Sequence, residues 1–269
     1  MKILKIGKEN ATFQEIVALK ENKTKRTQTK TFFVEGVQNI KDAISNDWEI
    51  VSFIFSDFNK LSSWTKDLIN KDIASNYYEL TDELMEKLSD KEDKSEILAI
   101  IRMKEQKLLV EDKCPLIILF DRPSKKGNLG TIIRSADALG VNQILLTGHS
   151  VDIYDHTVIT TTMGSWFKVP FKFIESNIEI ENYIEKMKDI YKNFQVIGSS
   201  LQTEDSIKDI DFKKPTLLLV GNEANGISNF LREKCDKFAK IPMRDNIDSL
   251  NVACATSIFL YEAYSQRNL

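Results

Sequence analysis

Short apolar runs alternate along most of the chain with segments in which apolar residues recur every three or four positions. LIILFD (116–121) and TLLLVG (216–221) are continuously apolar, as expected of parallel strands that are covered on both faces. VQNIKDAI (37–44) and IEIENYIEKMKDIYKN (178–193) have the spacing of amphipathic helices. Strands that alternate with helices predict an α/β fold with a largely parallel sheet.

This alternation is interrupted once, by the charged and weakly periodic stretch KEQKLLVEDK (104–113). We interpret residues 105–113 as a linker. It divides the chain into a smaller N-terminal α/β domain, residues 1–104, and a second domain, residues 114–269. A chain of 269 residues is long enough for two domains with buried cores.

The composition is that of an ordinary globular protein, with 42% apolar and 29% charged residues. We expect a cytoplasmic protein, because no apolar run is long enough for a signal peptide or a membrane span. The net charge of -3 argues against indiscriminate binding of nucleic acid, but residues 1–41 contain nine Lys or Arg and four Glu. The N-terminal end is therefore a basic arm on an acidic protein.

The cysteines give no sign of a disulfide or a metal site. Cys114, Cys235 and Cys254 lie far apart, are odd in number and form no Cys-x-x-Cys pair. We expect no bound metal, and we interpret the three as small buried hydrophobes.

Polar residues and glycines follow three of the predicted strands, where an open α/β sheet binds its ligands. The three stretches are FDRPSKKGNLGTIIRSADALG (120–140), LLLVGNEANGIS (217–228) and IPMRDNIDSLNVACA (241–255). Each has an ordinary structural interpretation: a loop with an N-capping Asn and an exposed Arg, a tight turn with Glu near a helix N-terminus, and a helix with Ser249 as its N-cap. Gly140 is expected to stop the helix of the first stretch at its C-terminal end. The phosphate loop GxxxxGK[ST] is absent, which argues against a nucleotide-binding protein of that class.

Together, the three stretches resemble the three motifs of the SpoU (TrmH) family of S-adenosylmethionine-dependent RNA ribose 2'-O-methyltransferases. The resemblance covers residues 114–266, and FFVEG (32–36) resembles the start of the family's substrate-binding domain. It implies these catalytic positions: Asn128 and Arg134 in the first motif, Glu223 in the second, and Ser249 and Asn251 in the third.

The resemblance also implies the fold and the assembly. The family has a deep trefoil knot at the C-terminal end of its sheet, and it works as a homodimer in which Arg134 completes the site of the other chain. Gly221, Ile241 and Leu250 would line the pocket for S-adenosylmethionine.

The implied substrate is ribosomal RNA rather than transfer RNA, because the N-terminal domain resembles those of family members that act on large ribosomal RNA. An RNA-binding or ribosome assembly factor with little catalysis is the alternative from another class. Basic side chains in the N-terminal arm and beside the first motif would bind RNA phosphates: Lys23, Lys25, Arg26, Lys30, Lys125 and Lys126.

Within this mechanism Asn128 would hold the ribose, and Glu223 would order the polar network or anchor Arg134. A guanidinium is a poor base, so we expect Arg134 to clamp phosphate and polarise the hydroxyl. His149 and His156 are the alternative bases, because histidine is the side chain that most often acts as a base near neutral pH.

Three positions depart from the family pattern. Asp245 stands where the family usually has Gly, Ser135 replaces Thr, and Ala224 replaces a frequent Gly. Asp tolerates the left-handed backbone better than most residues, so the turn at Asp245 would survive.

Overall fold

The computed structural model describes residues 2–89, 95–105, 112–244 and 249–268. The chain divides into two compact units, of which the first comprises Met1–Glu105 with Asp152–Lys168 and the second Gln106–Val151 with Val169–Leu269. Most of the predicted linker and Asp245 lie outside the described residues.

The first unit contains a mixed sheet of five strands. Its strands are β1 (Ile3–Ile6), β2 (Thr31–Glu35), β3 (Ile50–Phe55), β4 (Asn76–Leu80) and β5 (Ile97–Arg102). The intervening helices are α1 (Ala11–Glu21), α2 (Lys23–Thr29), α3 (Val37–Ser45), α4 (Ser63–Asn70) and α5 (Asp82–Leu88). The strand order is β1-β4-β3-β5-β2, in which β5 runs antiparallel to both of its neighbours. Phe33, Ile54 and Leu98 pack with Phe13 and Ile16 of α1 in one buried cluster.

The second unit contains a parallel sheet of six strands. The elements from β6 onwards are β6 (Leu116–Asp121), α6 (Lys126–Ala138), β7 (Gln143–Thr147), α7 (His156–Thr161), β8 (Phe171–Ile174), α8 (Asn177–Ile190), β9 (Gln195–Ser199), β10 (Thr216–Val220), α9 (Asn229–Glu233), β11 (Lys237–Ala239) and α10 (Val252–Asn268). Of these, α7 belongs to the first unit. The strand order is β11-β9-β10-β6-β7-β8, and every pairing is parallel.

The apolar runs form the centre of this parallel sheet as predicted. Ile117 and Leu119 of β6 lie beside Leu217 and Leu219 of β10, and all four are fully buried. Met187 of α8 packs into the same cluster. The predicted α/β fold with a parallel sheet is therefore confirmed. The knot stays a prediction from the resemblance.

The segment from residue 152 to residue 168 packs with the first unit, although the sequence division assigned it to the second domain. Arg26 of α2 is 2% exposed and binds Asp152, with 2.8 Å between Nη2 and Oδ2. Trp166 packs against Phe32 and Trp48, with ring centroids 5.0 Å from each. Ion pairing and aromatic packing thus place this segment in the core of the first unit.

Two helix boundaries show how the sequence sets the ends of elements near the polar loops. Gly140 adopts a φ of 73° just after α6, which confirms it as the helix stop. At α10, Asn251 rather than Ser249 is the N-cap, because Oδ1 of Asn251 accepts from the amide of Ala253 at 2.8 Å. The N-cap prediction for Ser249 was wrong, since this residue lies two positions further from the helix.

No helix among the described residues is both long and apolar enough to cross a bilayer.

Candidate active site

A cavity of about 670 Å³ lies in the second unit, where β9, β10 and β11 end and α10 begins. All the residues predicted to be catalytic or to bind the cofactor line this cavity except Arg134; they are Asn128, Gly221, Glu223, Ile241, Ser249, Leu250 and Asn251. Residues from three separate motifs are therefore brought together at one place, as the parallel sheet predicts.

Glu223 is the centre of a hydrogen-bond network at one end of the cavity. Its Oε2 accepts from the backbone amide of Ser124 at 3.1 Å and from the Ser124 hydroxyl at 2.6 Å. Its Oε1 accepts from the backbone amide of Lys125 and from Nδ2 of Asn128, both at 3.1 Å. Four donors from the loop after β6 and the start of α6 thus hold a carboxylate that follows β10.

This network keeps Glu223 ionised. Burial, the largest single influence, raises the pKa of the Glu223 carboxyl, but the hydrogen bonds from Ser124, from the backbone amide of Glu223 itself and from Asn128 together outweigh burial. The pKa of Glu223 therefore lies below its ordinary value of 4.5, and the group is a carboxylate at neutral pH.

The amides of Asn128 and Asn251 have only one possible orientation. An ionised carboxylate only accepts hydrogen bonds, so Asn128 must turn Nδ2 towards Glu223 and Oδ1 towards Asn251. Nδ2 of Asn251 donates to that Oδ1 at 3.1 Å, while Oδ1 of Asn251 caps α10. The charge of Glu223 at one end and the helix amides at the other therefore fix both side chains.

Gly221 permits the close approach of two backbone segments behind the cavity. A Cβ on Gly221 would lie 2.5 Å from the carbonyl carbon of Gly226 and 2.5 Å from the amide nitrogen of Ile227. These contacts are with backbone, so neither neighbour can move away cheaply. The glycine is therefore required by packing beneath the cavity wall.

Arg134 does not reach this cavity within its own chain. It lies on the exposed side of α6, and its guanidinium makes no ion pair or hydrogen bond with any residue that the structure describes. Its neighbour Ser135 contacts α10, because the hydroxyls of Ser135 and Ser257 are 2.7 Å apart. Arg134 is thus separate from the other predicted catalytic residues.

The predicted RNA-binding cations differ in their surroundings. Lys23, Lys30, Lys125 and Lys126 are exposed, and Lys25 is half-buried and pairs with Glu15 at 2.9 Å. Arg26 is buried instead: besides Asp152, its Nη1 donates to the carbonyls of Leu19 and Lys20 at 2.9 and 2.8 Å. Because its guanidinium holds the fold together, we leave Arg26 out of the proposed RNA contacts.

The remaining sequence predictions concern residues beside the motifs. Neither His149 nor His156 is among the described residues that line the cavity. Ala224 has no positive φ, so a side chain fits where the family often has Gly. Its amide donates to Oδ1 of Asn222 at 2.9 Å.

Sequence reasoning missed Ser124 and Asn222. Both lie next to the quoted motif residues, and both use a short polar side chain to bind nearby backbone or carboxylate groups. The sequence signal is a Ser or Asn two or three positions after a buried strand. Many ordinary turns have the same pattern, so it does not identify these partners by itself.

Comparison with known proteins identifies the family to which this chain belongs. The profile of the SpoU rRNA Methylase family matches residues 115–261, and the profile of the SpoU L30e-like domain matches residues 10–99. A 23S rRNA (uridine(2479)-2'-O)-methyltransferase from Streptomyces viridochromogenes is 35% identical over 98% of this chain and 92% of its own length. A 23S rRNA (guanosine(2553)-2'-O)-methyltransferase from Bacillus subtilis is 29% identical over 94% of this chain and 97% of its own length.

Solved structures agree with these relatives over both units. The SpoU methyltransferase AviRb from Streptomyces viridochromogenes, in complex with AdoMet, superposes with a TM-score of 0.91 at 35% identity, covering 97% of this chain and 99% of its own. An AdoMet-bound rRNA methyltransferase from Sinorhizobium meliloti gives 0.86 at 27% identity, covering 97% of each chain. The chain therefore belongs to the SpoU rRNA Methylase family.

Proposed function

We propose that this protein transfers a methyl group from S-adenosylmethionine to a ribose 2'-hydroxyl of 23S ribosomal RNA. The main support is the hydrogen-bonded chain from Glu223 through Asn128 to Asn251, which joins the three family motifs at one cavity. The relatives give further support, because two that match over nearly the whole chain are named 23S rRNA 2'-O-methyltransferases.

The cavity fits the cofactor in size and in chemistry. About 670 Å³ falls in the range of small-molecule sites, which combine apolar walls with a few polar groups. Leu201, Ile241 and Leu250 supply apolar surface for a flat base, and Gly221 lines the same cavity. Bound there, S-adenosylmethionine would supply an electrophilic methyl group on a positively charged sulfur.

The residues of this chain would position the ribose for an in-line displacement. Asn128 and Asn251 each keep one further N–H on Nδ2, with no partner among the described residues, and these donors suit ribose oxygens. The bond from the 2'-oxygen to the methyl carbon forms as the carbon–sulfur bond breaks, and the hydroxyl proton passes to water. Alignment of this kind can lower a barrier by about 7 to 11 kcal/mol.

A homodimer would bring Arg134 to the site. The exposed face of α10 includes Ile258, Tyr261 and Tyr264, which are 40%, 64% and 42% exposed. Apolar side chains at helical spacing on a surface helix suit packing against a second copy. In such a dimer Arg134 of one chain would bind RNA phosphate beside Asn128 of the other.

Exposed lysines on each unit would bind the RNA backbone, with Lys125 at the edge of the cavity itself. We therefore expect RNA affinity to fall steeply with salt, because each phosphate contact releases counterions. A ribosomal RNA substrate also favours a cytoplasmic location.

Incubation with methyl-labelled S-adenosylmethionine tests the proposal, with 23S rRNA, large ribosomal subunits and transfer RNA as separate acceptors. Label should enter 23S rRNA as 2'-O-methylribose at one nucleotide, found by mapping.

Asn128→Asp should lose transfer by about 100-fold, because it places a second carboxylate beside Glu223 and displaces the ribose.

Other outcomes would identify the alternatives. Label in transfer RNA alone would change the substrate class. Cofactor binding without transfer to any acceptor would favour an RNA-binding assembly factor and contradict the proposed activity.

A further inference from the structure

Asp121 and Arg122, at the end of β6, form an ion pair. Neither residue is among the site residues predicted from the sequence. Nε of Arg122 donates to Oδ1 of Asp121 at 2.9 Å, and Nη2 donates to Oδ2 at 2.8 Å. Such a two-point contact fixes the plane of the guanidinium. Arg122 is not among the described residues that line the 670 Å³ cavity, so we consider an effect on the reaction that passes through other residues.

The carboxylate of Asp121 joins the ends of β6 and β7 to the segment that precedes α9. It is 3% exposed and also accepts from the hydroxyl of Thr147, the last residue of β7, at 3.1 Å, and from the amide of Ser228, beyond β10, at 2.8 Å. Burial raises the pKa of Asp121, but the bonds from Arg122, Ser228 and Thr147 hold it below its ordinary value. A charged and fully bonded group of this kind rigidly ties the strand ends together.

Arg122 then connects these strand ends to residues 222–226, which we call the Glu223 turn. Its Nη2 donates to the carbonyl of Gly226 at 3.3 Å, and its own carbonyl accepts from Nδ2 of Asn222 at 2.7 Å. Asn222 and Gly226 close the turn through two backbone hydrogen bonds of 3.0 and 2.9 Å. Arg122 therefore contacts both ends of the turn that contains Glu223.

The backbone of Arg122 is strained to reach this position. Its φ is 49°, a left-handed conformation that costs an ordinary residue on the order of 1 kcal/mol. A Cβ on Gly148 would collide with Cγ of Arg122, so the lack of a side chain at Gly148 makes room for the arginine. Strain of this sort persists only where the surrounding structure determines it.

We propose that Arg122 is a positioning residue for methyl transfer. Paired with Asp121, it holds the Glu223 turn so that Glu223 meets Ser124 and Asn128, and so that the cavity wall from Asn222 to Gly226 keeps its shape. This inference rests on the proposed function. It predicts that Arg122 acts on turnover and on cofactor affinity through Glu223.

Two substitutions distinguish the effect of the Arg122 side chain from the effect of its left-handed backbone. Arg122→Lys keeps the charge, but an ammonium cannot reproduce the planar contacts to Asp121 and Gly226. Arg122→Gly removes the side chain and accepts the left-handed φ without strain. Lys188→Ala is the matched control, because it removes an ion pair to Asp236 in the same unit, at 2.9 Å, away from the cavity.

Circular dichroism first verifies that each variant folds. We then measure its turnover on 23S rRNA and, by calorimetry, its dissociation constant for S-adenosylmethionine. We expect Arg122→Lys to lower kcat by about 10-fold or more and Arg122→Gly to lower it further. Both should weaken cofactor binding several-fold, and Lys188→Ala should match the wild type. If Arg122→Gly does not fold, Arg122→Lys decides.

A double-mutant cycle with Glu223→Gln, measured in single-turnover assays, tests whether Arg122 acts through Glu223. In that background, Arg122→Lys should change the rate by less than about threefold, because the group that it positions is already altered. An equal loss in both backgrounds would overturn the proposal. So would kcat within about twofold of wild type for both Arg122 variants. If the wild-type protein itself methylates no RNA, the proposed function fails instead, and the calorimetric result still tests the contribution of Arg122 to the cavity.

Discussion

At the scale of single residues, the geometry of the site depends on the hydrogen bonds that the carboxylate of Glu223 accepts. Four donors surround its carboxylate, and two of them come from Ser124. A carboxylate held by several N–H and O–H groups favours its ionised form strongly. The orientation of Asn128, and with it the orientation of Asn251, follows from that charge.

The low pKa of Glu223 makes the stability of the protein depend on pH in a defined direction. A depressed folded-state pKa contributes stability that is present above the ordinary value of 4.5 and is lost as pH falls through the folded value. We expect the free energy of unfolding of the wild type to exceed that of Glu223→Gln at neutral pH, and this difference to shrink below about 4.5. Urea unfolding from pH 3 to 7 measures it. A difference independent of pH would contradict the assignment.

Gly221 gives a second prediction at this scale. Gly221→Ala places a methyl group 2.5 Å from backbone atoms, which should cost about 1 to 3 kcal/mol and distort the cavity wall. We expect lower thermal stability and loss of cofactor binding, measured by calorimetry. Gly127→Ala is the control: its added Cβ meets nothing within 4 Å, and alanine favours the helix there.

The motifs themselves could be predicted from sequence, but their mutual contacts could not. Spacing placed Asn128, Glu223 and Asn251 after strands, and the parallel sheet then brings them together. The bonds from Ser124 to Glu223 join residues 99 positions apart, and no local pattern encodes that distance. Local pattern also favoured Ser249 as the N-cap, although tertiary placement beside Asn128 selects Asn251.

At the scale of elements, sequence reasoning succeeded where patterns were long and apolar. The central strands β6 and β10 were predicted within a residue of their observed ends. No element was predicted before residue 31, where the structure has β1, α1 and α2. The strand β1 has only four residues, and α2 is a polar helix whose fully buried residue is Arg26, so neither shows a clear hydrophobic period.

The segment 152–168 also exceeded what sequence could predict, because its partners are about 126 residues away. Arg26→Ala should therefore destabilise the first unit by about 3 to 5 kcal/mol, since it leaves the carboxylates of Asp152 and Asp155 without their cation. Chemical denaturation measures the loss. Lys25→Ala, which removes a more exposed pair with Glu15, should change stability by less than about 1 kcal/mol. Equal effects would contradict a structural role for Arg26.

At the scale of the whole molecule, the remaining question is how an arginine outside the cavity could take part in the reaction. Arg134 is exposed and lies beside the contact between α6 and α10. Two-fold symmetry uses the same surface of both chains, so a dimer packed through α10 would give each site one foreign Arg134. The proposed assembly therefore makes the active site a property of two chains.

Mixed dimers test this arrangement directly. Arg134→Ala and Glu223→Gln should each be nearly inactive as pure dimers, but a heterodimer would contain one site with Glu223 from the first chain and Arg134 from the second. Random pairing makes half of the dimers mixed, and each has one complete site of two, so activity should recover to about one quarter of wild type. Co-expression with two tags and tandem purification isolates the heterodimer, which should reach about one half. If Arg134 acted within its own chain, no site in the mixture would hold both residues, and activity would not recover.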